Sequence, residues 1–139
     1  DIQRDAIYDV YFHGPAYPVL DKARVEEGHA YGMLVSDLPA EADPASIELT
    51  ALPRLIELCY QTAGMLEIAS EEQMALPAGF DRVAIAPMEK MPKRARLYAD
   101  VRPGENGSSF DADVVDKSGN VYVALRGYRT IRLPGKVRI

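Results

Sequence analysis

The chain has 139 residues, 47% of them hydrophobic and 27% charged, and a net charge of −5. That is the size of one domain with a core of its own, and the acidic balance argues against an extended nucleic-acid surface. Cys59 is the only cysteine, which excludes a disulfide framework or a cysteine-based metal cluster.

No signal peptide, lipidation motif or apolar run of membrane-spanning length occurs, so the cytoplasm is the expected compartment. Asp1 in place of a Met leads us to expect a chain cut from a longer one. Residues 1–11 mix charges with Ile7, Tyr8 and Val10 without a clear period and read as a lead-in or linker. Residues 11–17 (YFHGPAY) are aromatic around Gly14 and Pro15, which force a turn and hold the flanking rings at a set angle. Residues 19–25 and 29–38 predict two strands joined as a hairpin at Glu26, Glu27 and Gly28. Residues 39–46 (PAEADPAS) read as a surface connection.

Residues 52–70 (LPRLIELCYQTAGMLEIAS) form the longest apolar stretch and predict a helix, with Pro53 in its first turn. Winding it at about 100° per residue lines up Arg54, Glu57, Gln61 and Gly64, while Leu55, Ile56, Leu58, Cys59, Ala63, Met65, Leu66 and Ile68 cover the rest. A helix apolar almost all round belongs inside the fold. Its carboxylate and amide must find partners or perform chemistry, because burying either one unpaired costs several kcal/mol, roughly. Cys59 lies in this apolar surface and reads as a small buried thiol.

Residues 71–79 are polar around Pro77 and read as a turn. Four strands are predicted after it, at 80–88, 94–102, 108–116 and 121–132. The second alternates strictly, Ala95, Leu97, Ala99 and Val101 against Arg94, Arg96, Tyr98, Asp100 and Arg102, as in a sheet with one wet face. The third groups Phe110, Ala112 and Val114, and the fourth Val121, Val123, Leu125 and Ile131. Residues 117–120 (KSGN) make a tight hairpin turn and 103–107 (PGENG) a looser one. The last third collects the basic residues, which read as solvated strand faces or, in the sharper reading, as a dock for an acidic partner.

A hairpin, one long buried helix and four antiparallel strands define an α+β fold. Only a sheet wrapped around that helix would cover most of its faces, which is the single hot-dog architecture, here expected over residues 1–139 with a lead-in at 1–18.

Three motifs resemble the C-terminal hot-dog half of a polyketide synthase dehydratase domain. Residues 11–17 resemble the family's Tyr-x-Tyr-Gly-Pro-x-Phe, with His13 at the second Tyr and Tyr17 at the Phe. Residues 52–61 (LPRLIELCYQ) resemble its His-Pro-x-x-x-Asp-x-x-x-Gln, so Pro53 and Gln61 match and Glu57 stands where the catalytic Asp would be. Residues 114–129 (VVDKSGNVYVALRGYR) resemble its closing hairpin. Glu57 and Gln61 are also similar to the Glu-x-x-x-Gln of single-hot-dog dehydratases of fatty acid synthesis. In those, a catalytic His precedes the Glu at a position filled here by Asp43.

The resemblance implies dehydration of a carrier-bound 3-hydroxyacyl thioester, which needs a base for the proton beside the carbonyl and an acid for the departing hydroxyl. It makes Glu57 the acid and Gln61 its orienting partner or a ligand of the hydroxyl, and it makes Tyr11, His13, Gly14, Pro15 and Tyr17 substrate-binding. His13 reads from its setting as a packing residue, and as a base only if it faces Glu57; His29 reads as an exposed residue at a strand end. The base is then expected from another hot dog, either a second copy or an N-terminal half. The other expected partner is an acyl carrier protein or acyl thioester. No metal or cofactor is expected, the pantetheine arm belonging to the substrate, and no nucleic-acid or membrane partner. Two alternatives stay open: a non-catalytic half that completes a partner or binds acyl chains, and a hot-dog thioesterase using Glu57 as base or nucleophile.

Overall fold

The computed structural model describes residues 1–11, 17–35, 44–90 and 96–139, with the side chains at 44–51 and 88 left aside. The motif residues His13, Gly14 and Pro15, the residue Asp43 and the expected strand end at 36–38 lie outside the described residues.

The first eleven residues form structure where a linker was expected. Strand β1 (Ile2–Gln3) pairs with residues 22–23 of the next strand, and helix α1 (Arg4–Val10) follows directly. Ile7 is fully buried, and Tyr11 ends the helix in an extended conformation while its N–H still reaches the Ile7 carbonyl at 3.0 Å. Two turns with one fully buried residue make no apolar stripe, which is why the helix left no period in the sequence.

Strands β2 (Leu20–Glu26) and β3 (His29–Leu34) make the expected hairpin. Glu27 and Gly28 both have positive φ, 51° and 80°, which gives the turn the twist that a two-residue hairpin requires.

Helix α2 (Pro44–Glu71) is the long central element. It begins eight residues before the expected start at 52, with Pro44 in the opening position that suits proline, and it runs through Pro53. The Pro53 side chain is exposed and gives up one hydrogen bond of the ladder. From Arg54 to Ile68 most side chains are buried, among them Leu55, Leu58, Cys59, Thr62, Ala63, Met65 and Leu66. The helix touches β2 and β3, the later strands at 97–103, 110–116 and 121–132, and also the strand at 75–79.

The remaining strands are β4 (Ala75–Gly79), β5 (Arg82–Ile85), β6 (Leu97–Pro103), β7 (Phe110–Asp116) and β8 (Val121–Arg132). The antiparallel sheet runs β1-β2-β3-β6-β7-β8-β4, with β5 also on β8. Alternation in β6 is as expected, with Leu97, Ala99 and Val101 buried between half-buried Tyr98, Asp100 and Arg102. Residues 75–79 had read as part of a turn. They form an edge strand instead, where Pro77 costs the sheet no shared hydrogen bond.

Strand β8 serves two neighbours along one side: residues 123–126 pair with β5 and 129–132 with β4. Gly127, at φ +67°, lies between these stretches, its N–H bonded to Asp111 Oδ1 at 3.0 Å. Val121 and Ile131, grouped with the core in the sequence, lie at the two ends of β8 and are exposed, while Val123 and Leu125 are fully buried. Beyond β8 the chain returns along the start of β4, with Leu133 N–H on the Met74 carbonyl and Val137 N–H on the Glu72 carbonyl, both 2.8 Å. Arg138 Nε meets Glu72 Oε1 at 2.8 Å.

Helix and sheet approach closely at Gly32. A Cβ there would run into Thr62 Oγ1 and lie 2.6 Å from Leu20 Cδ2. The Thr62 hydroxyl is satisfied within its own helix, donating to the Leu58 carbonyl at 2.6 Å.

Candidate functional site

Glu57 and Gln61 stand one turn apart on α2 and are bonded to each other: Gln61 Nε2 donates to Glu57 Oε1 at 2.9 Å. The amide is tied down on every side. Its second N–H donates to the Tyr17 carbonyl at 2.8 Å, and its oxygen accepts from the Tyr8 hydroxyl at 2.6 Å. Tyr8 in turn accepts the Leu20 N–H at 2.9 Å. A carbonyl can only accept, so these partners fix which end of the amide is nitrogen. Burial, the largest cause, pushes the Tyr8 hydroxyl up to about 12 and keeps it a donor. The result is a directed chain from Leu20 N–H through Tyr8 and Gln61 to the carboxyl of Glu57.

Tyr11 adds a second tie, its hydroxyl donating to the Gln61 carbonyl at 2.9 Å. It reaches that carbonyl across Gly64, where a Cβ would occupy the place of the Tyr11 hydroxyl oxygen. The glycine at the end of the polar stripe is therefore filled by a side chain of this chain. Burial also raises the Tyr11 hydroxyl well above its ordinary range.

A cleft of about 80 Å³ opens on this stripe, with Glu57, Tyr60, Gln61, Gly64 and Glu67 along its helix side. Tyr11, Tyr128 and the start of β4, from Met74 to Pro77, line the rest. Tyr60 and Tyr128 stack at 4.6 Å between ring centroids and 16° between planes.

Among the expected site residues, the structure brings Glu57, Gln61 and Tyr11 to the cleft. Tyr17 contributes its backbone carbonyl while its side chain is 44% exposed and away from the cleft lining. No histidine lines the cleft among the described residues; His29 sits on the β2–β3 hairpin, with Nδ1 3.4 Å from Asp100 Oδ1 and its ring stacked on Tyr31. No cluster of His, Cys, Asp or Glu among the described residues could hold a metal ion.

Two residues of the site were not read from the sequence. Tyr8 is distant in sequence and sits in the segment read as a linker. Glu67 continues the stripe of Glu57, Gln61 and Gly64 by three residues, and that helical spacing was the available signal. It is 8% exposed, its Oε1 accepts from the Thr130 hydroxyl at 2.5 Å, and its Oε2 is buried with no hydrogen-bond partner among the described residues. Burial raises its carboxyl above the ordinary 4.5, the Thr130 bond opposing.

A long helix held against one antiparallel sheet is the hot-dog architecture. The chain belongs to the polyketide synthase dehydratase family: the family described as polyketide synthase dehydratase N-terminal domain matches residues 5–138.

Solved structures share the fold. The dehydratase domain from the CurF module of the curacin polyketide synthase is 19% identical with a TM-score of 0.72, over 95% of this chain and 48% of that one. The dehydratase domain from the CurK module is 17% identical with a TM-score of 0.69, over 96% and 48%, and inactive mutants of it that carry Phe for a His or Asn for an Asp also match. A trans-AT polyketide synthase dehydratase domain from Brevibacillus brevis is 21% identical with a TM-score of 0.71, over 95% and 48%. The chain thus spans about half the length of these structures.

Proposed function

We propose that this chain, although the family that matches it is described as an N-terminal domain, is the C-terminal hot-dog half of a dehydratase that removes water from a carrier-bound 3-hydroxyacyl thioester, on the motifs at residues 11–17 and 52–61. Glu57 is the acid. Its carboxyl gives a proton to the departing hydroxyl, forming water, as a base draws the proton from the carbon beside the carbonyl. The base is a histidine of a second hot dog, supplied by an N-terminal half or another copy of this chain.

The observation that carries this reading is the bond from Gln61 Nε2 to Glu57 Oε1 at 2.9 Å, held by Tyr8 and the Tyr17 carbonyl beside the cleft. With both amide N–H groups and the amide oxygen engaged, Gln61 aims the carboxyl, and binding of the substrate hydroxyl is left to other groups. The inactive CurK mutants support the assignment, since a His and an Asp each matter in that relative. The resemblance of residues 52–61 to the family's motif puts Glu57 where that Asp would stand.

The test gives the chain, with its partner half, a 3-hydroxyacyl carrier substrate and follows enoyl product by mass. Glu57→Gln is expected to lower the rate at least about a hundredfold, in line with loss of a general acid. Unchanged enoyl formation would remove Glu57 from the mechanism. Free thiol released from acyl-CoA by this chain alone would favour a thioesterase, and neither activity, with the partner still needing this chain to fold, a structural half. The pairing itself predicts a dimer or a complex in light scattering, and a strictly monomeric species with no longer parent chain to supply the second hot dog would sink it.

A further inference from the structure

Glu67 has no part in the dehydration as derived above. It lies ten residues beyond Glu57 on the same stripe of α2, a rise of about 15 Å, and lines the same cleft. Thr130 satisfies one of its oxygens. The other is buried and unpartnered among the described residues, a rare condition for a native polar atom. The nearby cation does not answer it: Arg132 meets Glu71 at 3.5 Å and Gln73 at 3.4 Å on the turn beyond. The one hydroxyl proton of Tyr11 is committed to the Gln61 carbonyl. The surroundings toward β4, Met74 and Leu76, offer apolar side chains.

We propose that Glu67 is a ligand-binding group, whose inner oxygen accepts a hydrogen bond from an O–H or amide N–H of the bound thioester at the far end of the cleft from Glu57. This rests on the thioester reading of the cleft. Two parts of such a ligand carry the required donor: a hydroxyl placed along the acyl chain, or an amide of the pantetheine arm. In either case Glu67 selects for a ligand polar at a fixed distance from the reacting carbons, where the rest of the wall favours an alkyl chain.

The experiment is calorimetric binding to the chain together with its partner half, using probes that cannot be dehydrated: octanoyl-pantetheine, ω-hydroxyoctanoyl-pantetheine and octanoyl-N-acetylcysteamine. Glu67→Met removes the acceptor at nearly constant volume, and Glu67→Leu removes it with a shorter side chain should the Met variant fail to fold.

If the acyl chain supplies the donor, the hydroxylated probe binds the wild type about tenfold tighter than the plain one, and both variants erase that preference. If the arm supplies it, the two pantetheine probes bind the wild type alike and both variants weaken them about tenfold; the N-acetylcysteamine probe, which keeps the amide nearest the thioester, is weakened with them if that amide is the donor and keeps its affinity if the next one is. Unaltered affinities for all three probes in both variants would overturn the role of Glu67 and leave the thioester reading standing. No binding of any probe to the wild type would overturn both.

Discussion

At the scale of single residues the site is a matter of hydrogen-bond direction. Tyr8→Phe removes the donor to Gln61 Oε1 and the acceptor of the Leu20 N–H together. We expect a loss of about 1–3 kcal/mol in thermal or urea unfolding, with a fall in dehydration rate at unchanged substrate affinity as Gln61 loses its tie. Cys59 is fully buried and its thiol is pushed up to about 12 by that burial. It is therefore expected to resist thiol reagents in the native protein and to react only in denaturant, as a mass spectrum of alkylated protein would show. Glu57 and Gln61 could be read from the sequence because polar residues on an apolar helix stand out. Tyr8 could not, since a tyrosine among charges announces nothing until the fold brings it to Gln61.

At the scale of elements, two glycines set how closely pieces approach. Gly32 lets α2 lie down on β3, and Gly64 admits the Tyr11 hydroxyl. Gly64→Ala would put a methyl group where that oxygen lies, and either Tyr11 or the helix must shift. The expected loss is about 1–3 kcal/mol, read as a lowered urea midpoint, and Tyr11→Phe in the same background should recover part of it because the displaced atom is gone. The buried helix and the strands from β6 to β8 were legible because their periods of burial are long. Helix α1 and strand β4 were not: α1 is seven residues long with one fully buried residue, and β4 contains Pro77, a residue that reads as a breaker unless the strand is known to be an edge. The helix start was misplaced for a related reason, since Pro53 offers the same opening signal as Pro44.

At the scale of the whole molecule, the basic last third is largely answered from within. Arg102 and Arg126 both grip Asp113, at 2.9 and 2.8 Å, Arg129 meets Asp81 at 2.7 Å, and Arg138 meets Glu72. Such pairs favour solvated strand faces over a dock for an acidic partner. The response to acid divides between two carboxyls. Asp116 is held at about 2 by the Asn120 side chain first, then by the Asn120 N–H, Tyr122 and the Ser118 N–H. Its folded value lies below the ordinary 3.8, so its contribution is present above that pH and is lost as pH falls toward 2; Asp116→Asn should flatten the unfolding curve there. Glu67 has the opposite sign. Its raised folded value contributes stability below 4.5 that is lost as pH rises through that value, so Glu67→Gln should raise the melting temperature at neutral pH and lose that advantage in acid.

The return of the chain past β8 has a practical consequence for anyone trimming the gene. Residues 133–139 do not line the cleft, yet Leu133 and Val137 close the backbone bonds of Met74 and Glu72, and Arg138 clasps Glu72 from outside. Met74 is a wall of the cleft. A shortened expression clone ending at Arg132 would keep every residue of the site and unfasten one side of it.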